Sequence, residues 1–275
     1  MKKTSTLRVL TESAIMLALA TVLSIFKLVE LPYGGSITIA SMLPILIIAY
    51  RHGTGWGLLT GLVYGIIQQL LGLKTLSYVT TWQSVVAVIM LDYIVAFAVL
   101  GFGGAFRKMK SQPAGLCLGG LLVCLLRYAC HVISGATVWA GLSIPTQAAL
   151  AYSFIYNATY MVPETIVLLI AAYTIGTKLD FRGTQLSAYK FESGQKAGVL
   201  DWIGGVLVAA ALIFDTAVVF SNLQNAETGA FDITGVANVN LPLLIIVTAV
   251  LLVAGAVLLV VSAAQKRKTP AEKDA

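Results

Sequence analysis

The sequence predicts an all-α integral membrane protein, and three observations predict it. The chain is 58% hydrophobic and only 11% charged, whereas a soluble globular domain carries about 25% charge. Its mean hydropathy is +0.89. Its apolar residues come in long unbroken runs rather than in the alternating segments of about ten residues that build a membrane barrel. The first apolar run follows MKKTSTLRVLTES with no small-residue cleavage site after it. It is therefore expected to be the first span and not a removable leader.

Helical spans are expected near 12–30, 37–50, 54–72, 82–103, 115–138, 147–176, 198–220 and 240–262. The second, ITIASMLPILIIAY, is short for a crossing that needs about 20 residues, so it starts deeper or merges with the loop before it. That loop, VELPYGGSI, reads equally as a cap over a cavity and as a tight turn. On the third span Gly53, Gly57, Gly61 and Gly65 recur every four residues, the spacing that lets helices approach closely. The fifth span holds Cys117, Cys124 and Cys130; without a Cys-x-x-Cys pair or companion histidines they read as small buried residues, and neither a disulfide nor a metal site is implied. The polar stretch TKLDFRGTQLSAYKFESGQK then separates residues 1–180 from a two-span extension, 198–275, with 181–197 as a cytoplasmic linker.

The net charge of +6 would suggest nucleic acid in a soluble chain, but here its meaning is set by the loops. With the N-terminus inside the cell, fifteen of the 18 Lys and Arg residues fall on the inner side; only Lys27 and Lys74 lie outside, and Arg127 lies within a span. The positive-inside rule thus supports a multi-pass protein of the cell membrane with eight helices and both ends cytoplasmic. The 221–239 loop, free of Lys and Arg, is then outside.

Ionisable groups at membrane depth are costly and need a partner or a water-filled cavity. Counted at 1.5 Å per residue, Asp92 on span four and Asn157 on span six both lie about 15 Å from the outer end, and His131 on span five about 10 Å. Trp139 and Tyr152 sit above them. Such a group suits a flat, positively charged heteroaromatic solute: a carboxylate to balance the charge, an indole face to stack on it, and polar groups to pair with ring nitrogens. Taken singly, Trp139 and Tyr152 read as well as interfacial aromatics, His131 as a packing residue, and Asp92 as a partner of Arg127. Arg127 reads as structural. Glu164, after Pro163, either lines the cavity or pairs with Arg127, and Asp215 is expected to reach water.

Five stretches, TESAIMLALA, LPYGGSITIASMLPI, LDYIVAFAVLGFGGAFR, RYACHVISGATVW and AYSFIYN, together resemble the thiamin-specific substrate-binding (S) components of energy-coupling factor (ECF) transporters. The resemblance covers residues 1 to about 180 and implies a six-helix bundle, to which this chain adds two C-terminal helices. It implies a subunit that captures thiamin from outside, performs no chemistry, needs no cofactor, and relies on a membrane coupling subunit and two ATPase subunits for release inward. Carried over by position, the ligand-binding residues fall on Asp92, Tyr93, His131, Gly135, Trp139, Tyr152 and Asn157, with an aromatic position on Tyr64. The small-residue surface that docks the coupling subunit falls on Ala14 and Ala18.

The chain departs from the family in carrying Asp92 where some members have Glu, and Gly35 where some have a loop tryptophan. Tyr33 is then the nearby aromatic, and Tyr78 or Trp82 offers a substitute stacking surface. Two other readings stand beside this one: a self-contained proton-coupled transporter using Asp92 and Glu164, and an S component for another vitamin or heteroaromatic solute. An intramembrane enzyme finds no support, since there is no His-Glu-x-x-His pattern, nucleophile elbow or paired catalytic motif, and a nucleotide site finds none without a Walker-type loop.

Overall fold

Helices make up most of the computed structural model, as they must where backbone polar groups meet lipid instead of water. The structure describes residues 6–31, 33–190, 198–223, 225, 228 and 230–268. It divides into a unit of residues 1–189 and a unit of residues 190–275. Six helices among the described residues are long and apolar enough to cross a membrane.

In the first unit α1 spans Thr6–Ile25, and the chain then forms a hairpin of β1, Lys27–Glu30, and β2, Ser36–Thr38. The second span therefore does not begin at 37. Helix α2 covers Leu43–His52 only, about 15 Å of rise, half the thickness of a bilayer core. It is tolerated because its side chains from Pro44 to Tyr50 are all buried within the protein. Gly53, at φ 97°, turns the chain into α3, Thr54–Leu71. The glycine stripe of α3 is a packing surface. A Cβ on Gly61 would lie 2.5 Å from the Phe97 carbonyl oxygen, and one on Gly65 would lie 2.8 Å from that of Tyr93. Of the eight expected spans, α2 is the short one, as its 14-residue run foretold, and α3 is less apolar than the other six.

Helix α4, Trp82–Phe106, is irregular. Its N-cap Thr81 accepts the Ser84 amide, and its middle, Ile89–Ile94, winds as a π-helix before closing as a 3-10 helix over Val99–Phe106. Helix α5, Gln112–Thr137, starts at the Ser111 cap with a proline in its first turn, where a missing N–H costs nothing. Helix α6, Ala149–Lys178, carries Pro163 internally. A two-residue hairpin, β3 Leu179–Asp180 with β4 Ser187–Ala188, ends the unit. Residues 181–189 belong with it, and residues 191–197 of the expected linker lie outside the described residues.

The second unit is α7, Val199–Ser221, and α8, Leu241–Lys268. They meet at Gly204 and Gly255, where a Cβ on either would lie 2.9 Å from the other's carbonyl oxygen. Asp215 is partly buried and accepts the Thr248 hydroxyl with Oδ1, so its carboxylate helps to pair the two helices.

Candidate functional site

The π-helical turn is the local cause of the site. A widened turn interrupts the regular rise of α4 and delivers Asp92 to the facing side of α5. There Oδ1 lies 3.0 Å from His131 Nδ1, while Oδ2 accepts the Ser134 hydroxyl at 2.7 Å and the Trp139 indole N–H at 3.1 Å. His131 and Ser134 are three residues apart and so share one helix face. Hydrogen bonds to an ionised acceptor are about twice as strong as neutral ones, so the carboxylate fixes both rings. Its partner is this trio and not Arg127. His131 presents its other nitrogen, Nε2, buried and without a protein partner.

Asn157 closes the group from α6. Its amide donates to the His131 carbonyl at 3.2 Å and to the Ser153 carbonyl at 2.9 Å, and its Oδ1 accepts the Tyr160 hydroxyl at 2.6 Å. The approach of α5 to α6 depends on Gly135, since a Cβ there would collide with Ser153 Oγ. Tyr93 bonds Thr75 Oγ1 at 2.9 Å. Aromatic rings run in a row from Tyr33 to Tyr78, centroids 5.3 Å apart, and from Tyr78 to Trp139, 6.3 Å apart. Trp82, by contrast, is 72% exposed.

These groups border a cavity of about 850 Å³. Asp92, Tyr93, His131, Gly135, Trp139 and Asn157 all line it; Tyr64 and Tyr152 do not. Tyr64 is fully buried, donates to the Ala20 carbonyl at 3.2 Å and packs edge-on against Phe97, so it joins α3 to α1 and α4. Gln68, one turn on, takes the lining position. Tyr152 lies in the first turn of α6, roughly a quarter-turn from the centre of the face shared by Tyr156, Asn157, Tyr160 and Glu164. Tyr156 and Tyr160 line the cavity in its place.

Arg127 also lines the cavity, with its guanidinium 4.4 Å from the Phe97 ring centroid and Nη1 2.9 Å from Met42 Sδ. Glu164 is not its hydrogen-bonding partner: both carboxylate oxygens accept from Thr38. Sequence reasoning missed Ser134, although its i,i+3 spacing from His131 signals it. It also missed Tyr156 and Tyr160, which the i,i+4,i+8 row ending at Glu164 signals. A partly buried carboxylate fixed beside an indole, with an unpaired imidazole nitrogen and a wall of aromatic rings, can hold a flat cation and read its nitrogens.

A family model described as thiamine transporter protein (Thia_YuaJ) matches residues 10–181. The chain is 38% identical over 173 residues to the thiamine transporter ThiT of Bacillus subtilis (strain 168), covering 58% of this chain and 86% of that protein. It is 26% identical over 199 residues to the thiamine transporter ThiT of Lacticaseibacillus paracasei, covering 65% and 93%. The solved structure of ThiT from Listeria monocytogenes superposes with a TM-score of 0.52 over 62% of this chain and 93% of that one, at 24% identity, a likeness of fold.

Proposed function

The chain belongs to the thiamine transporter protein family, and from that membership we propose that it is the substrate-binding membrane subunit of an ECF-type vitamin importer, taking up thiamin from outside the cell. Residues 1–180 form the binding domain in this reading, and residues 198–275 are an added pair of helices. The observation that carries it is the Asp92 carboxylate, held by His131, Ser134 and Trp139 at the wall of the cavity.

Thiamin joins a pyrimidine to a permanently charged thiazolium. Asp92 balances that charge in a site of low dielectric, where attraction between opposite charges is strong. Trp139, its plane fixed by Asp92, offers a face for stacking and cation–π attraction. With Nδ1–H given to Asp92, His131 Nε2 accepts from the exocyclic amine, and Tyr93, Gly135 and Asn157 shape the slot. Tyr33 and Tyr78 supply the aromatic cover that Gly35 cannot. Tyr64 and Tyr152 support the helices around the site.

Release inward falls to partners: a membrane coupling subunit and two ATPase subunits. Ala14 and Ala18 support this, since both are exposed on α1 one helical turn apart, leaving room for a partner helix to approach. The subunit sits in the cell membrane with both termini cytoplasmic, the orientation that the Lys and Arg distribution favours.

Calorimetry of the purified full-length protein against thiamin and an uncharged thiamin analogue tests the site. Binding of both with equal affinity would remove the role given to Asp92. Uptake into vesicles with and without the partners tests the subunit assignment, and uptake by this chain alone would overturn it.

A further inference from the structure

Glu164 is a carboxylate only 3% exposed, inside a helix of membrane-spanning length. Burying such a group is costly unless hydrogen bonds offset it. Both of its bonds go to one residue: the Thr38 amide donates to Oε2 at 2.5 Å and the Thr38 hydroxyl to Oε1 at 2.7 Å. Thr38 ends β2, and its hydroxyl also meets Ser41 Oγ at 2.8 Å, just before α2 begins. Glu164 therefore grips the base of the β1–β2 hairpin from 126 residues away in sequence.

The hairpin needs that grip. Its register rests on three residue pairs and is interrupted between Lys27 and Val29, and a two-stranded hairpin by itself is marginal. Its tip lies on α6 through the Tyr156 hydroxyl, which donates to the Gly34 carbonyl at 2.8 Å, and through Gly35, where a Cβ would lie 2.9 Å from the Tyr160 ring. Tyr156, Tyr160 and Glu164 thus form one i,i+4,i+8 row beneath the hairpin, and Glu164 supplies the carboxylate and both acceptors of the basal bond. The tip in turn sets Tyr33 against Tyr78, which faces Trp139.

We propose that Glu164 is a positioning residue of the binding site: by holding Thr38 it fixes the β1–β2 hairpin and, through it, the placement of Tyr33 against Tyr78 beside Trp139. Glu164 borders the cavity, but with both oxygens taken by Thr38 it acts on bound solute through the hairpin. The consequence for thiamin rests on the function proposed above, whereas the consequence for the hairpin does not.

The test uses the full-length protein and three variants. Glu164→Leu removes both acceptors, and Thr38→Val removes one donor while leaving the carboxylate. Glu164→Gln keeps an oxygen for the Thr38 amide and an N–H₂ for its hydroxyl, so it should restore the anchor. In the ligand-free protein, hydrogen–deuterium exchange of peptides covering 27–38 should accelerate in Glu164→Leu and Thr38→Val, but not in Glu164→Gln, with peptides covering 125–139 unchanged. Thiamin release, followed by tryptophan fluorescence, should accelerate about tenfold in Glu164→Leu, as expected for the loss of bonds to a charged acceptor. Association and the final quenching should be unchanged, which a general loss of structure would not allow.

Hairpin exchange at the wild-type level in Thr38→Val and Glu164→Leu overturns the proposal, as does faster exchange with unaltered release. If Glu164→Leu does not fold, Thr38→Val against Glu164→Gln decides by the same readouts. A wild-type protein that does not bind thiamin would refute the vitamin reading, while the exchange comparison would still decide the anchor.

Discussion

The Trp139 indole donates its N–H to Asp92 Oδ2 at 3.1 Å, so the aromatic face and the negative charge of the site are one mechanical unit. Asp92 is also bound by Ser134 at 2.7 Å, which leaves the carboxylate little freedom to turn away. An aromatic ring at position 139 without an N–H would keep a stacking face and lose its orientation.

Trp139→Ala is expected to remove most of the thiamin-induced fluorescence quenching and to weaken binding about thirtyfold, the equivalent of about 2 kcal/mol for stacking on a desolvated cation. Trp139→Phe should fall between the two. Calorimetry and fluorescence titration check this, and wild-type affinity in a folded Trp139→Ala protein would place the ligand elsewhere.

Asp92→Asn should weaken thiamin more than an uncharged analogue, because the carboxylate's task is to balance a fixed positive charge at low dielectric. An equal loss for both ligands would assign Asp92 to holding His131 and Trp139 alone. Parallel titrations of the two ligands give the answer.

Ala14→Trp combined with Ala18→Trp should abolish uptake in vesicles containing the partners and leave thiamin affinity in detergent within about twofold. The two alanines are exposed on α1, and bulky side chains there obstruct an approaching helix. Affinity and thermal stability falling together with uptake would mean that this face packs within the protein instead.

Arg51→Ala should destabilise the first unit by about 1.5–3 kcal/mol, the scale of hydrogen bonds to charged groups, since Glu12 keeps Arg8 and His52 as partners. The Arg51 side chain is 6% exposed and lies 2.7 Å from Glu12. It also donates to the carbonyls of Phe181, Gly183 and Thr184 at 3.1, 2.9 and 2.6 Å, joining α1, α2 and the β3–β4 turn. Arg51→Lys should recover only part, since an ammonium lacks the planar fork that serves several acceptors at once. Thermal denaturation in detergent measures both.

Depth in the membrane is written in the amino-acid sequence itself. Helical rise is constant, so counting residues brings Asp92, His131 and Asn157 to one level, and in the fold Asn157 bonds the His131 carbonyl while His131 meets Asp92. The membrane class is legible for a similar reason: burial in lipid demands long apolar runs, and these are a property of composition and order alone.

Rotation and long-range pairing are decided only by the tertiary structure. A count of residues does not say which face of α3 meets a neighbour. Tyr64 turns into the packing between helices while Gln68 reaches the cavity, and the same ambiguity separates Tyr152 from Tyr156. The π-turn over Ile89–Ile94 shifts the facing of everything after it, and no local periodicity announces it. The hairpin at 27–38 replaces the start of a span because its strands pair with each other and its base is held by Glu164, 126 residues away. A hydrophobic pattern records how much surface each segment must bury; which partner buries it, and which polar atom is left facing the cavity, is settled only when the helices pack.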